Sequence, residues 1–233
     1  MENEEQKERD ERLKAAGVHF LPWVGSGYEN GIGYDEYGFI QYGMPEKKGK
    51  KVLVLGESHY CADEKDAIPD LTRLIIEDFI QKNTKFEAYK NTYIKFERAL
   101  AGKILDIEKG EREILWNHVA FYNYVQKAIT APRFAPYPEQ FIASEGAFWE
   151  VLSLYRPDIV IVWGKRLYIN LPQKGMQGKD VIIRNGEYEN ETWIYELENK
   201  KITIFPIASP SSAFRPSFWC EFIVKLFNVQ NNE

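Results

Sequence analysis

The sequence predicts an α/β fold: a three-layer α/β/α sandwich around a central, mostly parallel, four-stranded sheet. Four short runs rich in apolar residues have the character of strands buried in a parallel sheet, at 52–55, 118–125, 158–164 and 201–207. Segments with apolar residues at helical spacing separate these runs. Because strands that alternate with helices tend to pair in parallel and to carry helices on both faces, this order of segments predicts the architecture.

The chain before the first of these strands is predicted to stand apart from the sheet. Residues 1–16 are highly charged and carry no apolar stripe, which indicates a frayed helix or an unordered tail. Residues 17–49 are rich in glycine and aromatic residues, which indicates a loop-rich lead-in whose aromatic side chains pack onto the domain. We therefore interpret residues 1–49 as a tail and lead-in, and residues 50–233 as one α/β domain.

Helices and a hairpin are predicted within the domain. Apolar residues at helical spacing, with stop signals at prolines, predict helices at 69–80, 86–101, 139–155 and 165–171, and a closing helix over 214–227. Asn185-Gly186 between two strand-like runs is a strong signal for a tight hairpin turn. We therefore interpret residues 173–199 as a peripheral hairpin insertion.

Composition and charge narrow the classes of partner. The 233 residues are 44% hydrophobic and 28% charged, which is typical of a globular chain rather than a disordered one. The formal charge of −5 argues mildly against a broad nucleic-acid surface. Residues 159–184, however, carry five basic residues against one aspartate, so a locally basic face and an ordinary solvated surface both stay open.

Membrane, metal and cofactor sites are not expected. No apolar run approaches the roughly 20 residues that a membrane helix needs, and the first residues do not resemble a signal peptide. Cys61 and Cys220 are too few to hold a metal ion or an iron–sulfur cluster by themselves. One disulfide between them stays open, although we expect a reduced, cytoplasmic chain with no membrane partner and no cofactor.

Polar side chains follow three of the predicted strands where each strand ends. Glu57-Ser58-His59-Tyr60 come directly after the first strand, Asn123 lies near the end of the second, and Ser209-Pro210-Ser211-Ser212 follow the last. Ligands of open α/β sheets bind beyond the carboxyl ends of the strands, so these groups predict a candidate active site. Glu57 could instead cap the next turn or pair with an arginine, and Asn123 could satisfy backbone groups of a neighbouring loop.

Four segments resemble motifs of the uracil-DNA glycosylase superfamily, in the superfamily's own order, over residues 50–228. Gly-Glu-Ser-His-Tyr at 56–60 resembles its first motif, a Gly-(Gln/Glu)-(Asp/Ala)-Pro-(Tyr/Gly) loop after the first strand. Residues 119–126 resemble its second strand, whose asparagine reads the uracil. Residues 156–165 resemble its Arg-Pro, apolar strand and glycine-helix segment, and Ser209-Pro210-Ser211 stands where it has His-Pro-Ser.

The resemblance implies hydrolysis of the N-glycosidic bond of a deaminated or altered base in DNA. Asn123 would offer its amide to the edge of the base, with Ser58 and Tyr60 beside it and the Tyr60 ring crowding out a thymine methyl. Glu57 would orient water or favour the cationic sugar. DNA contacts are implied for the loop after the last strand and for nearby basic residues: Pro210, Ser211, Ser212, Arg215, Lys165 and Arg166.

The chain also departs from the superfamily's motifs. Ser58 stands where one branch has its water-activating aspartate, and His59 replaces the proline of the first motif. Ser209 replaces the histidine that stabilises the leaving uracil, and removal of one such donor costs roughly 10²–10³ in rate. We therefore place Glu57, His59 and Ser209 in the catalytic group, with His59 as the hypothetical substitute donor.

Two other functions stay open beside the glycosylase. A module of the same fold could bind a base, a nucleotide or DNA without cutting it, because Ser58 and Ser209 replace working groups. A small-molecule hydrolase that uses Ser58 and His59 is geometrically awkward, since adjacent residues of an extended chain point apart. DNA, including uracil-containing DNA, is the expected partner, and the cysteines that hold a cluster in some branches are absent.

Overall fold

The computed structural model describes residues 2–83, 85–130, 134–173 and 176–230. Its helices are α1 Glu2–Ala15, α2 Leu71–Ile80, α3 Lys90–Ala101, α4 Glu111–Asn117, α5 Pro138–Ala143, α6 Glu145–Tyr155, α7 Lys165–Ile169 and α8 Pro216–Gln230. Its strands are β1 Trp23–Val24, β2 Ile32–Tyr34, β3 Ile40–Tyr42, β4 Val52–Gly56, β5 Val119–Asn123, β6 Ile159–Trp163, β7 Met176–Asn185, β8 Tyr188–Leu197 and β9 Lys200–Ile207. A 3₁₀ turn covers Glu64–Asp66.

The α/β prediction is confirmed, with the four predicted strands as the parallel centre of one sheet. The described strands follow the order β1-β5-β4-β6-β9-β8-β7, and β5, β4, β6 and β9 are parallel to one another. Every residue of β4, β5 and β6 is buried, as the continuous apolar runs predict. The carboxyl ends of four strands therefore lie along the same edge of the sheet.

The predicted count of four strands is too small, because antiparallel strands cover both edges of the parallel centre. β1 pairs with the outer edge of β5, and β8 pairs with the outer edge of β9, which would otherwise expose unpaired backbone groups. The predicted turn at Asn185-Gly186 is confirmed, with Gly186 at φ 60°. The hairpin extends the main sheet at its edge beyond β9, where β7 is the outermost strand; residues 174 and 175 of the 173–199 stretch lie outside the described residues.

Helices pack on both faces of the sheet. Alternate strand residues such as Val54 and Phe121 pack against α2, α3, α4 and α8. The residues between them, such as Leu55 and Tyr122, pack against α1, α5, α6 and α7. Because side chains alternate across a strand, each face of the parallel centre has its own apolar cluster.

Several helix boundaries differ from the predicted ones. The segment 139–155 forms two helices, α5 and α6, that meet at Ser144, whose hydroxyl donates to the carbonyl of Gln140 and accepts from the backbone N–H of Gln126. The third helix begins at Lys90 rather than at residue 86, and α4 was not predicted because its seven residues are too few to establish a helical period. The predicted helix at 69–80 is found as α2.

The tail and lead-in are more ordered than the sequence indicates. The helical alternative for residues 1–16 is confirmed by α1, where Leu13 is fully buried and Asp10 accepts two hydrogen bonds from the Arg73 guanidinium. The lead-in contains β1, β2 and β3, and it buries the rings of Phe20 and Tyr28.

Neither a membrane helix nor a disulfide is found in the described parts of the chain. None of the helices there is long and apolar enough to cross a membrane. Cys61 and Cys220 are both free thiols, and burial raises the pKa of each.

Candidate active site

The carboxyl ends of β4, β5, β6 and β9 open onto one cavity of about 810 Å³. This volume lies within the roughly 300–1,000 Å³ that is common for small-molecule sites. Of the residues predicted for the site, those that line the cavity are Glu57, Ser58, His59, Tyr60, Asn123, Lys165, Arg166, Ser209, Ser211 and Ser212. Pro210 and Arg215 are not among its lining residues. The cavity brings together residues that are up to 156 positions apart in the printed sequence, from Gly56 to Ser212.

Aromatic rings at the end of the sheet form much of the apolar lining. Phe121 of β5 and Trp163 of β6 are neighbours, with ring centroids 5.1 Å apart, and the ring of Tyr93 on α3 lies 5.6 Å from both. Burial raises the pKa of Tyr93, and burial together with Asp78 raises the pKa of nearby Tyr89 to about 12. Neutral aromatic rings of this kind suit the stacking of a planar heterocycle.

Glu57 is paired with Arg166, which lies in the first turn of α7. The guanidinium donates from Nε to Glu57 Oε1 at 2.7 Å and from a second nitrogen to Oε2, so the pair is bidentate. Of the alternatives for Glu57, the structure therefore shows the pairing with an arginine. The hydrogen bond to Glu57 raises the pKa of Arg166, while its side chain stays half-exposed and that of Glu57 is 18% exposed. A ligand anion that reached Arg166 would therefore compete with Glu57.

Asn123 and His59 form a buried hydrogen-bonded pair in the cavity wall. Nδ2 of Asn123 lies 3.0 Å from Nε2 of His59, and the same Nε2 lies 2.8 Å from Oγ1 of Thr72 on α2. Both side chains are about 95% buried, and Thr72 is fully buried. Asn123 therefore contacts a side chain rather than the backbone groups that the alternative interpretation required.

Burial keeps His59 neutral. It lowers the pKa of the imidazole to about 3, with a smaller contribution from the charge of His19. The ring of Phe20, from the lead-in, packs edge-on against the imidazole, and the centroids of the two rings are 4.7 Å apart. At neutral pH the ring carries a single N–H, and its Nε2 is engaged by Asn123 and Thr72 rather than free in the cavity.

Gly56 is required by the position of Asn123. The two residues are partners in the parallel β4–β5 register, and the Asn123 side chain leans over the Gly56 backbone. A Cβ placed at Gly56 would lie 2.2 Å from Oδ1 of Asn123, which is closer than any real contact allows. The glycine of the first motif is thus explained by a close side-chain approach, since its φ is not positive.

The loop after β9 presents hydroxyl groups to the cavity. Oγ of Ser209 and Oγ of Ser211 lie 2.8 Å apart, and Ser212 Oγ donates to the Ser209 carbonyl. Nζ of Lys95 on α3 donates to the Ser212 carbonyl, which ties the loop to the helix above it. Pro210 is buried and offers no surface to DNA in this arrangement.

The remaining predicted residues lie at the rim or outside it. Tyr60 is half-exposed at the cavity rim, where it also bridges to Ile129. Lys165 is exposed beside Arg166, and together they make the rim locally basic. Arg215 is exposed, and its guanidinium lies over the ring of Phe218, 4.9 Å from the centroid.

Sequence reasoning missed the residues that α2 and α3 contribute to the site. These are Thr72, Ile75, Tyr89, Thr92 and Tyr93. Each lies in an ordinary amphipathic helix or, for Tyr89, directly before one, and the packing of these helices over the sheet edge depends on long-range contacts. The only available signal was the position of Phe121 and Trp163 near the ends of their strands.

No group of three or more histidine, cysteine, aspartate or glutamate side chains is placed to hold a metal ion, within the residues that the structure describes.

Comparison of the chain with protein-family models found no match, and comparison with curated proteins found none either. The chemistry of the cavity is therefore the basis for any functional conclusion.

Proposed function

We propose that this protein is a DNA N-glycosylase of the uracil-DNA glycosylase type, which hydrolyses the bond between a deaminated or altered base and its sugar. The observation that carries the proposal is the meeting of Glu57, Asn123 and the Ser209–Ser212 loop around one aromatic-lined cavity. An amide, a carboxylate and flat apolar walls are what recognition and removal of an extruded base require. We also propose the three-layer arrangement of that superfamily, since described helices pack on both faces of the sheet.

In the proposed reaction, the base enters the cavity and its edge contacts the Asn123 amide. The glycosidic bond breaks and its electron pair leaves with the base, water adds to the anomeric carbon of the sugar, and the proton that the water loses goes to the departing base. The Glu57 carboxylate stabilises the positive charge that develops on the sugar, or orients the water. Arg166 is half-exposed and can turn to a phosphate of the strand, which would release Glu57 for this role.

The glycosylase proposal is tested with a single-stranded oligonucleotide that contains one uracil, followed by alkali to cleave at abasic sites. We expect cleavage with the wild-type protein and a rate lower by about 10²-fold in Glu57→Gln, because the amide that replaces the carboxylate carries no charge.

Glu189→Gln is the matched control for this substitution. Glu189 also accepts from an arginine, Arg184 at 2.6 Å, but the pair lies on the β7–β8 hairpin and not among the residues that line the cavity. Its cleavage rate should equal that of the wild type. Equal rates in Glu57→Gln and Glu189→Gln would refute the role of Glu57.

A second candidate is a module that binds a base without cutting the bond. The bidentate Glu57–Arg166 pair favours it, because both oxygens of the one carboxylate among the predicted catalytic residues are occupied in this structure. Binding of the uracil oligonucleotide that depends on Asn123, with no abasic sites after long incubation, would favour this candidate over the glycosylase. Neither binding nor cleavage would refute both.

A further inference from the structure

The hydrogen bonds around His59 define which ring nitrogen carries its hydrogen. A neutral imidazole has one N–H, so Nε2 either donates or accepts. Nε2 lies 3.0 Å from Nδ2 of Asn123, and an amide nitrogen can only donate. Nε2 is therefore the bare nitrogen, and the hydrogen of the ring is on Nδ1.

Thr72 and Phe20 hold the imidazole in this position. Oγ1 of Thr72 lies 2.8 Å from Nε2, so its hydroxyl donates to the bare nitrogen and shares the one lone pair with the Asn123 amide. Phe20 packs its edge against the imidazole, and Thr72 and Phe20 are both fully buried. A ring that is confined in this way cannot turn over to present its other nitrogen without disturbing its packing.

In this structure the Asn123 amide and the bare Nε2 match each other as donor and acceptor. If the amide turned over, Oδ1 would face the lone pair of Nε2, and two buried acceptors in contact would both lose a hydrogen bond. Oδ1 therefore stays above Gly56, at the wall of the cavity, where none of the described residues is seen to donate to it. The amide keeps one free acceptor next to its second N–H.

We infer that His59 is a positioning residue: its bare Nε2 fixes the edge that Asn123 presents, so that the cavity selects bases with an N–H beside a carbonyl. Uracil and hypoxanthine have such an edge. Cytosine has the reverse pattern, because its ring nitrogen accepts and its amino group donates. The inference rests on the proposed function of the cavity and adds to it the residue that orients the Asn123 amide.

The test measures binding rather than cleavage. The probes are short, fluorescein-labelled single strands with one 2′-fluoroarabino-uridine or one 2′-fluoroarabino-cytidine, in which the fluorine protects the glycosidic bond from hydrolysis. The wild-type protein should bind the uridine strand at least about tenfold more tightly than the cytidine strand, because each mismatched buried pair loses hydrogen bonds. Equal binding of the two strands would overturn the inference.

Two variants separate positioning from mere packing. His59→Leu has no acceptor for the Asn123 amide, so the ratio of the two affinities should fall towards one. His59→Gln can place its amide oxygen near the former Nε2, so it should keep most of the ratio. Retention of the full ratio in a folded His59→Leu, or an equal loss in both variants, would overturn the inference.

A measurement on the wild-type protein serves where a variant fails to fold. The ¹⁵N chemical shifts of the His59 imidazole should show a protonated Nδ1 and a bare Nε2, and a protonated Nε2 would overturn the inference. The outcomes stay distinct from those of the proposed function. A protein that discriminates between the strands but never forms abasic sites refutes hydrolysis alone, whereas cleavage with full discrimination in His59→Leu refutes the positioning role alone.

Discussion

Asn123 lies where three local requirements meet. The strand must end there, because its backbone partner Gly56 is the last residue of β4. The neighbouring position must be glycine, because Oδ1 occupies the space of a side chain. The amide must find a buried partner, which His59 supplies. Each requirement concerns one residue, and together these residues place a polar group at the edge of an apolar sheet.

Gly56→Ala tests the close approach at this position. The added methyl group would displace the Asn123 amide, so we expect a loss of about 1–3 kcal/mol in the free energy of unfolding and at least about tenfold weaker binding of a uracil oligonucleotide. Gly146→Ala is the matched control. Gly146 lies on α6 with no atom within 4 Å of an added Cβ, and alanine there should stabilise by up to about 1 kcal/mol. Wild-type binding by Gly56→Ala would contradict the account.

The lowered pKa of His59 predicts how stability depends on pH. In the unfolded chain the imidazole takes up a proton near its ordinary pKa of 6.5, whereas in the folded protein its pKa is about 3. The unfolded state therefore binds more protons between these pH values. The contribution of His59 to stability is full above pH 6.5 and is lost as the pH falls towards 3.

Urea unfolding across this pH range should show a steeper fall in the free energy of unfolding for the wild type than for His59→Gln. The difference in slope should approach one proton. Parallel pH dependence of the two proteins would mean that the histidine is already protonated in the folded state.

At the scale of elements, α3 and α4 are joined by an ion pair that is almost completely buried. Arg112 donates to both oxygens of Glu97, at 3.0 and 2.8 Å, and the indole of Trp116 donates to the same carboxylate at 3.3 Å. The Glu97 side chain is 2% exposed. Because α3 also carries Tyr93, this pair fixes the helix that forms one wall of the cavity.

Arg112→Met would leave the Glu97 carboxylate buried without its partner. We expect a loss of about 3–5 kcal/mol in the free energy of unfolding, measured by urea denaturation. Arg184→Met removes the exposed partner of Glu189 and should cost no more than about 1 kcal/mol. Similar losses in the two variants would show that the Glu97 site is open to water.

The elements show what a sequence alone can predict. β4, β5, β6 and β9 were predicted because a strand buried on both faces is a continuous apolar run, and such runs are local. The signal for the hairpin turn was local too. The addition of the hairpin to the sheet had no local signal, because the pairing of β8 with β9 depends on an edge formed by the rest of the chain. The break at Ser144 also depends on a distant partner, Gln126.

The same distinction applies to the site. That Glu57, Asn123 and Ser209 line one cavity follows from the direction of parallel strands, so it could be predicted from the sequence. An arginine partner for Glu57 was only one of two alternatives, and the pairing of Asn123 with His59 was missed. The partners are 109 and 64 positions apart, so only the folded chain brings them together. Tyr93 and Thr72 reach the site only through helix packing.

At the scale of the whole molecule, an acidic protein presents a basic cavity rim. The formal charge is −5, yet Lys165 and Arg166 stand together where α7 begins. Under the proposed function, attraction of a nucleic-acid strand would therefore be local to the rim rather than a property of the whole surface.

Lys165→Gln tests this local attraction. We expect weaker binding of a single-stranded oligonucleotide and a salt dependence that is shallower by about 0.7 in the slope of log K against log[salt], because one phosphate contact is lost. Lys201→Gln is the control, since Lys201 is also exposed but lies near the start of β9, at the opposite end of the sheet. An unchanged slope in Lys165→Gln would remove that lysine from the strand-binding surface.

The most direct test of the account is a crystal structure of the protein with a single strand that carries one 2′-fluoroarabino-uridine. The account predicts the uracil ring inside the cavity beside Trp163, with its N3–H about 2.9 Å from Oδ1 of Asn123. A strand bound elsewhere on the protein, or a uracil whose edge does not meet Asn123, would contradict it.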